Sequence, residues 1–289
     1  MQIVTDSGTD LKLSPEELDD LSIHVVPLVV TLNGKSYQEG VDIQPEEFYS
    51  LLEKADEMPT TSQPSAGAFA AVYSRLAARD PDILSVHMSS GLSGTYEAAR
   101  SGARLAPEAN VIHVDTKTLS AGSGWQVEAA ARAAKAGWEI ERVLQLLRDI
   151  AGATDSLYTL KELKYLIHGG RISHMKGLIA SLLNIKPLIG VEKIAGTYVQ
   201  LGQARTFRRA VQQVAEQGTS HIPPGSALRA QVLHANNPKG ATLLREHMDR
   251  LFECNWLPSG SISLVLGAHT GPSMVGLAYG PLEAFAPIP

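Results

Sequence analysis

One cysteine in 289 residues, Cys254, removes a whole class of architectures. A single thiol forms no internal disulfide and completes no CxxC or Cys/His zinc spacing. The shortage fits a reducing cytosol, so a cytoplasmic protein is expected. Long hydrophobic runs are missing too. No stretch of about 18 apolar residues exists, and no membrane span is expected. The opening MQIVTDSGTD lacks a basic start followed by an apolar run, so no signal peptide is read there. Charge is sparse, at 19% against roughly 25% in an average soluble domain. Its balance is mildly acidic, with 25 basic and 30 acidic residues and a net charge of -5. Sequence-independent nucleic-acid binding needs a basic face, so that class drops out. The nine histidines form neither HxxxH nor HExxH, so no metal is expected. Neither the phosphate loop GxxxxGK nor the dinucleotide fingerprint GxGxxG occurs.

What is present is enough apolar residue, 44%, for sizeable cores, in a chain long enough for two domains. The first half alternates short strands with helices. Strands are expected at Gln2–Thr5, His24–Leu32, Ile83–Met88 and Val111–Val114. Helices are expected near Pro45–Ala55, Pro64–Ala78, Gly94–Leu105, Gly122–Lys135 and Ile140–Ile150. Such alternation reads as a parallel sheet covered by helices, which binds ligands at the carboxyl ends of its strands. The second half mixes strands (Ser156–Leu160, Lys186–Glu192, Thr197–Gly202, Leu228–Ala235, Ser261–Gly267, Val275–Tyr279) with helices (Lys161–His168, Ile172–Leu183, Arg208–Gln217, Ala241–Phe252). It reads as an α/β sandwich with a mixed or antiparallel sheet. The boundary falls near Gly152–Asp155, dividing the chain into residues 1–154 and 155–289.

Three clusters of hydroxyls and glycines stand out. Thr60, Thr61 and Ser62 precede Pro64 and a helix. Ser89-Ser90-Gly91-Leu92-Ser93-Gly94-Thr95 lies between a strand and a helix. Unpaired N–H groups and the dipole at a helix N-terminus favour an anion, so two such ends converging would hold a carboxylate or phosphate without a lysine. Ser, Thr and Gly also serve as plain caps and turns. The stretch Gly91–Thr95 approaches the nucleophile elbow GxSxG, with Thr95 in place of the last glycine. A triad on Ser93 would need a histidine and an acid from His87, His269, Asp6 and Asp115, and nothing in the sequence pairs them. The third cluster, His269-Thr270-Gly271-Pro272, follows the apolar run SISLVLG, read as a strand that aims His269 into a cleft.

Together these motifs resemble the DegV family, nearly end to end: TDSGTDL at Thr5–Leu11, TTSQPS at Thr60–Ser65, SSGLSGTY at Ser89–Tyr96, DTKTLSAGSG at Asp115–Gly124, LKYLIHGGRIS at Leu163–Ser173, LLNIKPLI at Leu182–Ile189 and GAHTGPSMVG at Gly267–Gly276. The departure is Ser273, where the family usually has glycine. A serine there restricts the φ angles of the turn beside His269.

The resemblance implies two domains closing on one long-chain fatty acid, with no cofactor. It also implies a bacterial, non-enzymatic subunit that presents the acyl carboxylate to a separate ATP-binding fatty acid kinase for acyl phosphate formation. By that likeness Thr61 and Ser93 hydrogen-bond the carboxylate, with Thr60, Ser62, Gly94 and Thr270 in the same loops. His269 and Arg205 stand near the head group, and Arg171 lies near it or on the kinase-docking surface. Burying roughly sixteen carbons offers on the order of 10 kcal/mol gross, so the tail would supply affinity and the hydroxyls position. That division predicts an apolar tunnel with one polar end, lined by Leu178–Leu183 and Val25–Leu32. Two other readings are a serine esterase or thioesterase using Ser93, and a sugar- or nucleotide-binding domain.

Overall fold

A computed structural model describes residues 1–175 and 185–289. The first half builds a four-stranded parallel sheet, in the order β2-β1-β6-β7, from β1 (Gln2–Asp6), β2 (Ile23–Val26), β6 (Asp82–His87) and β7 (Asn110–Asp115). A small antiparallel sheet, β4-β3-β5, joins it through β3 (Val29–Leu32), β4 (Lys35–Gln38) and β5 (Thr60–Ser62). The helices of this half are α1 (Pro15–Asp20), α2 (Pro45–Glu53), α3 (Ala66–Ala77), α4 (Thr95–Arg104), α5 (Ser120–Lys135) and α6 (Ile140–Ala153).

After Thr154 the chain passes to a second, mixed sheet: β8 (Asp155–Thr159), β9 (Lys186–Val191), β10 (Tyr198–Ala204), β11 (Ala227–His234), β12 (Glu253–Trp256), β13 (Gly260–Ser261) and β14 (Val275–Pro281). Its order is β10-β9-β8-β14-β11-β12, with β13 also beside β11. The first four neighbours pair antiparallel, while β12 and β13 run parallel to β11. Its helices are α7 (Lys164–His168), α8 (Phe207–Gln217), α9 (Pro238–Asp249) and α10 (Leu264–Thr270). The expected fold class therefore holds, a parallel sheet flanked by helices followed by a mixed α/β sandwich.

The layers follow from where small residues fall. α3 packs Phe69 and Tyr73 on Val4 and Ile83 of the parallel sheet. On the opposite face lies α5, rich in alanine and glycine, which touches β1 and β6 on one side and β8 and β14 on the other. Small side chains let one helix approach two sheets at once. α8 and α9 cover the far face of the second sheet through Val211, Val214 and Leu244. The largest buried cluster runs from Ile3 to Phe285, so both halves share it.

Two expected strands differ. His24–Leu32 breaks at Pro27, which has no N–H to continue a ladder, and its parts join different sheets as β2 and β3. Ser261–Gly267 is helical from Leu264 on. Every residue of α10 is buried, so the run is apolar on all sides and carries no period to separate helix from strand. Its N-terminus is capped from afar. The Ser263 N–H donates to Asp10 Oδ1 at 2.5 Å, the Ser263 hydroxyl to Glu39 Oε2 at 2.7 Å, and the Leu264 N–H to Glu39 Oε1. Burial outweighs these bonds for Glu39 and raises its carboxyl to about 7. The helical stretch read at Ile172–Leu183 opens as a 3-10 turn, Arg171–Met175, and its remainder lies outside the described residues.

Candidate functional site

The head of the site is built by four chain segments. β5 carries Thr61 on the small sheet beside Val30. The loop after β6 brings Ser93 to the start of α4, whose first residue follows Gly94, a position with no side-chain cap bond. α10 presents His269 in its last turn, and the turn after α7 presents Arg171. These four line one pocket with Ser62, Gln63, Leu28, Met88 and Tyr198.

Within it, His269 Nε2 and Thr61 Oγ1 lie 2.8 Å apart. His269 is 8% exposed. Burial first, then the charges of Arg171 and His168, push its pKa down to about 4, so the ring is neutral at pH 7. Gly169 makes this placement possible, because a Cβ there would lie 2.0 Å from His269 Nδ1. Ser93 Oγ sits 2.8 Å from Thr95 Oγ1. The Arg171 guanidinium donates to the Gly169 carbonyl at 2.7 Å, which turns its charge along the pocket wall.

Next to this polar pocket lies an apolar cavity. Its floor is the second sheet, with Tyr158, Leu233, Gly276 and Ala278, and its roof is Leu119–Gly122 at the start of α5. Leu266, Thr270 and Met274 close one side. Tyr198 and Leu266 line both spaces, so the polar pocket and the apolar cavity adjoin.

The model of the family described as "Uncharacterised protein, DegV family" matches residues 1–282. The chain belongs to the DegV family. A DegV domain-containing protein of Staphylococcus aureus is 35% identical over 275 residues, 95% of this chain and 96% of the relative. A solved structure named for fatty acid binding of a DegV family protein from Thermus thermophilus has a TM-score of 0.86 at 30% identity, covering 97% of this chain and 99% of that one. A second, DegV from Bacillus subtilis, named as a fatty acid binding protein, has a TM-score of 0.84 at 26% identity over 97% and 98% of the two chains.

In this DegV chain the structure brings together Thr61, Ser62, Ser93, His269 and Arg171, with Gly94 adjoining. Thr60 is exposed on the outer side of the same short strand. Thr270 lines the apolar cavity instead, its hydroxyl bonded to the Leu266 carbonyl at 3.0 Å. Arg205 is not among the residues that line this pocket; it is exposed just past the end of β10. The two converging helix ends do not form either: Thr61 lies in a strand, and α3 starts only after its cap, Ser65. Of Val25–Leu32, Leu28 lines the pocket while Val25 faces outward at 39% exposure. Leu178–Leu183 lie outside the described residues.

Sequence reasoning missed Tyr198 and Leu266, whose position between the two spaces depends on sheet register and on α10 being a helix. It also left His87 unpaired. In the structure His87 Nδ1 meets Asp6 Oδ2 at 2.9 Å, and its Nε2 meets Ser85 Oγ at 2.6 Å. Tyr73 OH extends this fully buried chain at 2.7 Å. None of it reaches Ser93, whose hydroxyl partner is Thr95. Asp115 is likewise engaged elsewhere, by Ser90 and Lys117. The contacts described give Ser93 no base.

Proposed function

We propose that this chain is a long-chain fatty-acid-binding protein which holds the acyl tail between its halves and presents the carboxylate to a separate ATP-binding kinase subunit for acyl phosphate formation. The observation that carries the reading is the junction at Tyr198 and Leu266 of a hydroxyl-lined pocket with an apolar cavity. Residues 1–154 and 155–289 are the two domains of this reading, with α5 and the second sheet as the jaws on the tail. The fatty acid binding named for the Thermus thermophilus and Bacillus subtilis relatives supports it.

At the head, a neutral His269 carrying its proton on Nε2 donates to the Thr61 oxygen. The Thr61 hydroxyl then points its own proton at the ligand carboxylate. Ser93 and the N-terminal amides of α4 supply the second side of the anchor. Anchoring mainly through neutral donors leaves the carboxylate its charge and its nucleophilicity, which two arginines in direct contact would quench. Arg171, turned along the wall, stands available for the additional charge of an acyl phosphate. The sequence has no phosphate loop of its own, so the phosphoryl donor belongs to the partner.

The test is a coupled assay with the full chain, palmitate, ATP and a bacterial fatty acid kinase subunit. Acyl phosphate is expected only when all four are present. ATP consumption by the chain and palmitate alone would overturn the assignment as a non-enzymatic subunit. Palmitate binding with no acyl phosphate from the complete mixture would overturn the presentation role.

A further inference from the structure

The alternation of β11 sends Leu228, Ala230 and Val232 toward α8 and α9, and Arg229, Gln231 and Leu233 toward α5. Gln231 is the anomaly on that inner face, an amide only 4% exposed. A buried amide is costly unless its donors and acceptor are bonded. Gln231 Oε1 accepts from Trp125 Nε1 at 2.7 Å, and its Nε2 donates to the Pro258 carbonyl at 2.8 Å. Trp125 is itself 2% exposed and lies under the Arg229 guanidinium, 5.0 Å from its ring centre. The amide is therefore fixed between α5 and the second sheet.

Its place in the sheet gives the amide a consequence for the cavity. Tyr198 pairs with Val191, Ser156 with Ala278, and Ala278 with Gln231, with β8 and β9 in matching register. This row crosses the sheet on one face, from the head pocket at β10 to Gln231 on β11. Four strand spacings separate the ends, about 19 Å at ~4.8 Å each. Past Gln231 lies another cleft, walled by charged groups such as Asp10, Lys12 and Glu128. Gln231 and Ala121 are the residues that line both spaces.

We propose that Gln231, locked by Trp125, is the end wall of the acyl cavity and sets the longest chain the protein accepts. The inference rests on the fatty-acid reading and adds a length limit to it. A methyl end advancing further would have to displace a satisfied amide and strand the buried Trp125 N–H. Ala121, facing the amide across the neck, sets its width.

The experiment loads the delipidated full chain with an equimolar mixture of saturated acids of fourteen to twenty-four carbons and reads the bound species by native mass spectrometry. The wild type should show a sharp upper cutoff. Gln231→Ala should move it upward by about two carbons, raising the share of the longer acid about fifteenfold, since each newly buried methylene is worth about fourfold in affinity. Ala121→Val should move the cutoff the other way, which keeps the test alive if the first variant fails to fold. An unchanged profile in folded Gln231→Ala or in folded Ala121→Val would overturn the assignment of the wall. A wild type that takes up no acid of any length would overturn the fatty-acid reading itself.

Discussion

Two buried histidines of this chain look alike in the sequence and do opposite things in the fold. His87 lies at the end of β6 with both ring nitrogens engaged, by Asp6 and by Ser85, at zero exposure. His269 lies at the end of α10 against one hydroxyl, Thr61, in the wall of a pocket. The first completes a closed circuit that also takes the Gly8 and Met88 N–H groups onto Asp6. The second ends on the Thr61 hydroxyl at the edge of that pocket. A buried polar group with every partner in place holds structure together, and one whose network stops at a cavity is available to a ligand.

The largest expected effect breaks the closed circuit. His87→Ala leaves the Asp6 carboxylate buried without its imidazole and should cost about 3–5 kcal/mol of stability, read by urea denaturation. A loss below about 1 kcal/mol would show that the circuit is not structural. Thr61→Ala combined with Ser93→Ala attacks the open end instead. It should change stability by only about 1 kcal/mol and weaken palmitate binding by about a hundredfold or more in a calorimetric titration, because two bonds to a charged group are lost. Equal affinity in the double variant would remove these hydroxyls from the anchor.

A smaller effect is set by pH. His269, with its folded pKa near 4, binds fewer protons than the unfolded chain between about pH 4 and 6.5. Its contribution is complete above 6.5 and disappears as pH falls through 4. His113, half-buried on β7 and pushed by burial to about 4, acts in the same sense. Glu39, raised to about 7, acts in the opposite sense: its contribution is complete below about 4.5 and is lost as pH rises through 7. The two trends offset each other. Glu39→Gln should therefore steepen the loss of stability from pH 6.5 to 4.5, and His269→Gln should reduce it, by about 2 kcal/mol at most. Parallel stability curves for the wild type and both variants would contradict this assignment of protons.

The contrast also explains what could be read in the sequence. The loops at Thr60–Ser65 and Ser89–Thr95 stood out because each gathers several hydroxyls where a strand meets a helix, and the alternation of strands and helices pointed to the parallel sheet. His269 stood out in the sequence, but at the end of a strand and not of a helix. The cap that makes α10 a helix comes from Asp10 and Glu39, more than two hundred residues away. Tyr198, Leu266 and Gln231 gave no local signal at all. Their roles depend on which strands become neighbours, which is settled by long-range pairing and not by any window of residues.

The central claim is that one acyl chain occupies the joined pocket and cavity, and the most direct measurement is the mass of the full chain as purified, natively and after denaturation. The account predicts a native excess equal to one long-chain fatty acid that vanishes on denaturation. A covalent adduct that survives denaturation and maps to Ser93 would contradict it in favour of a nucleophile. So would a native mass with no excess, if added fatty acid then also failed to bind at one per chain.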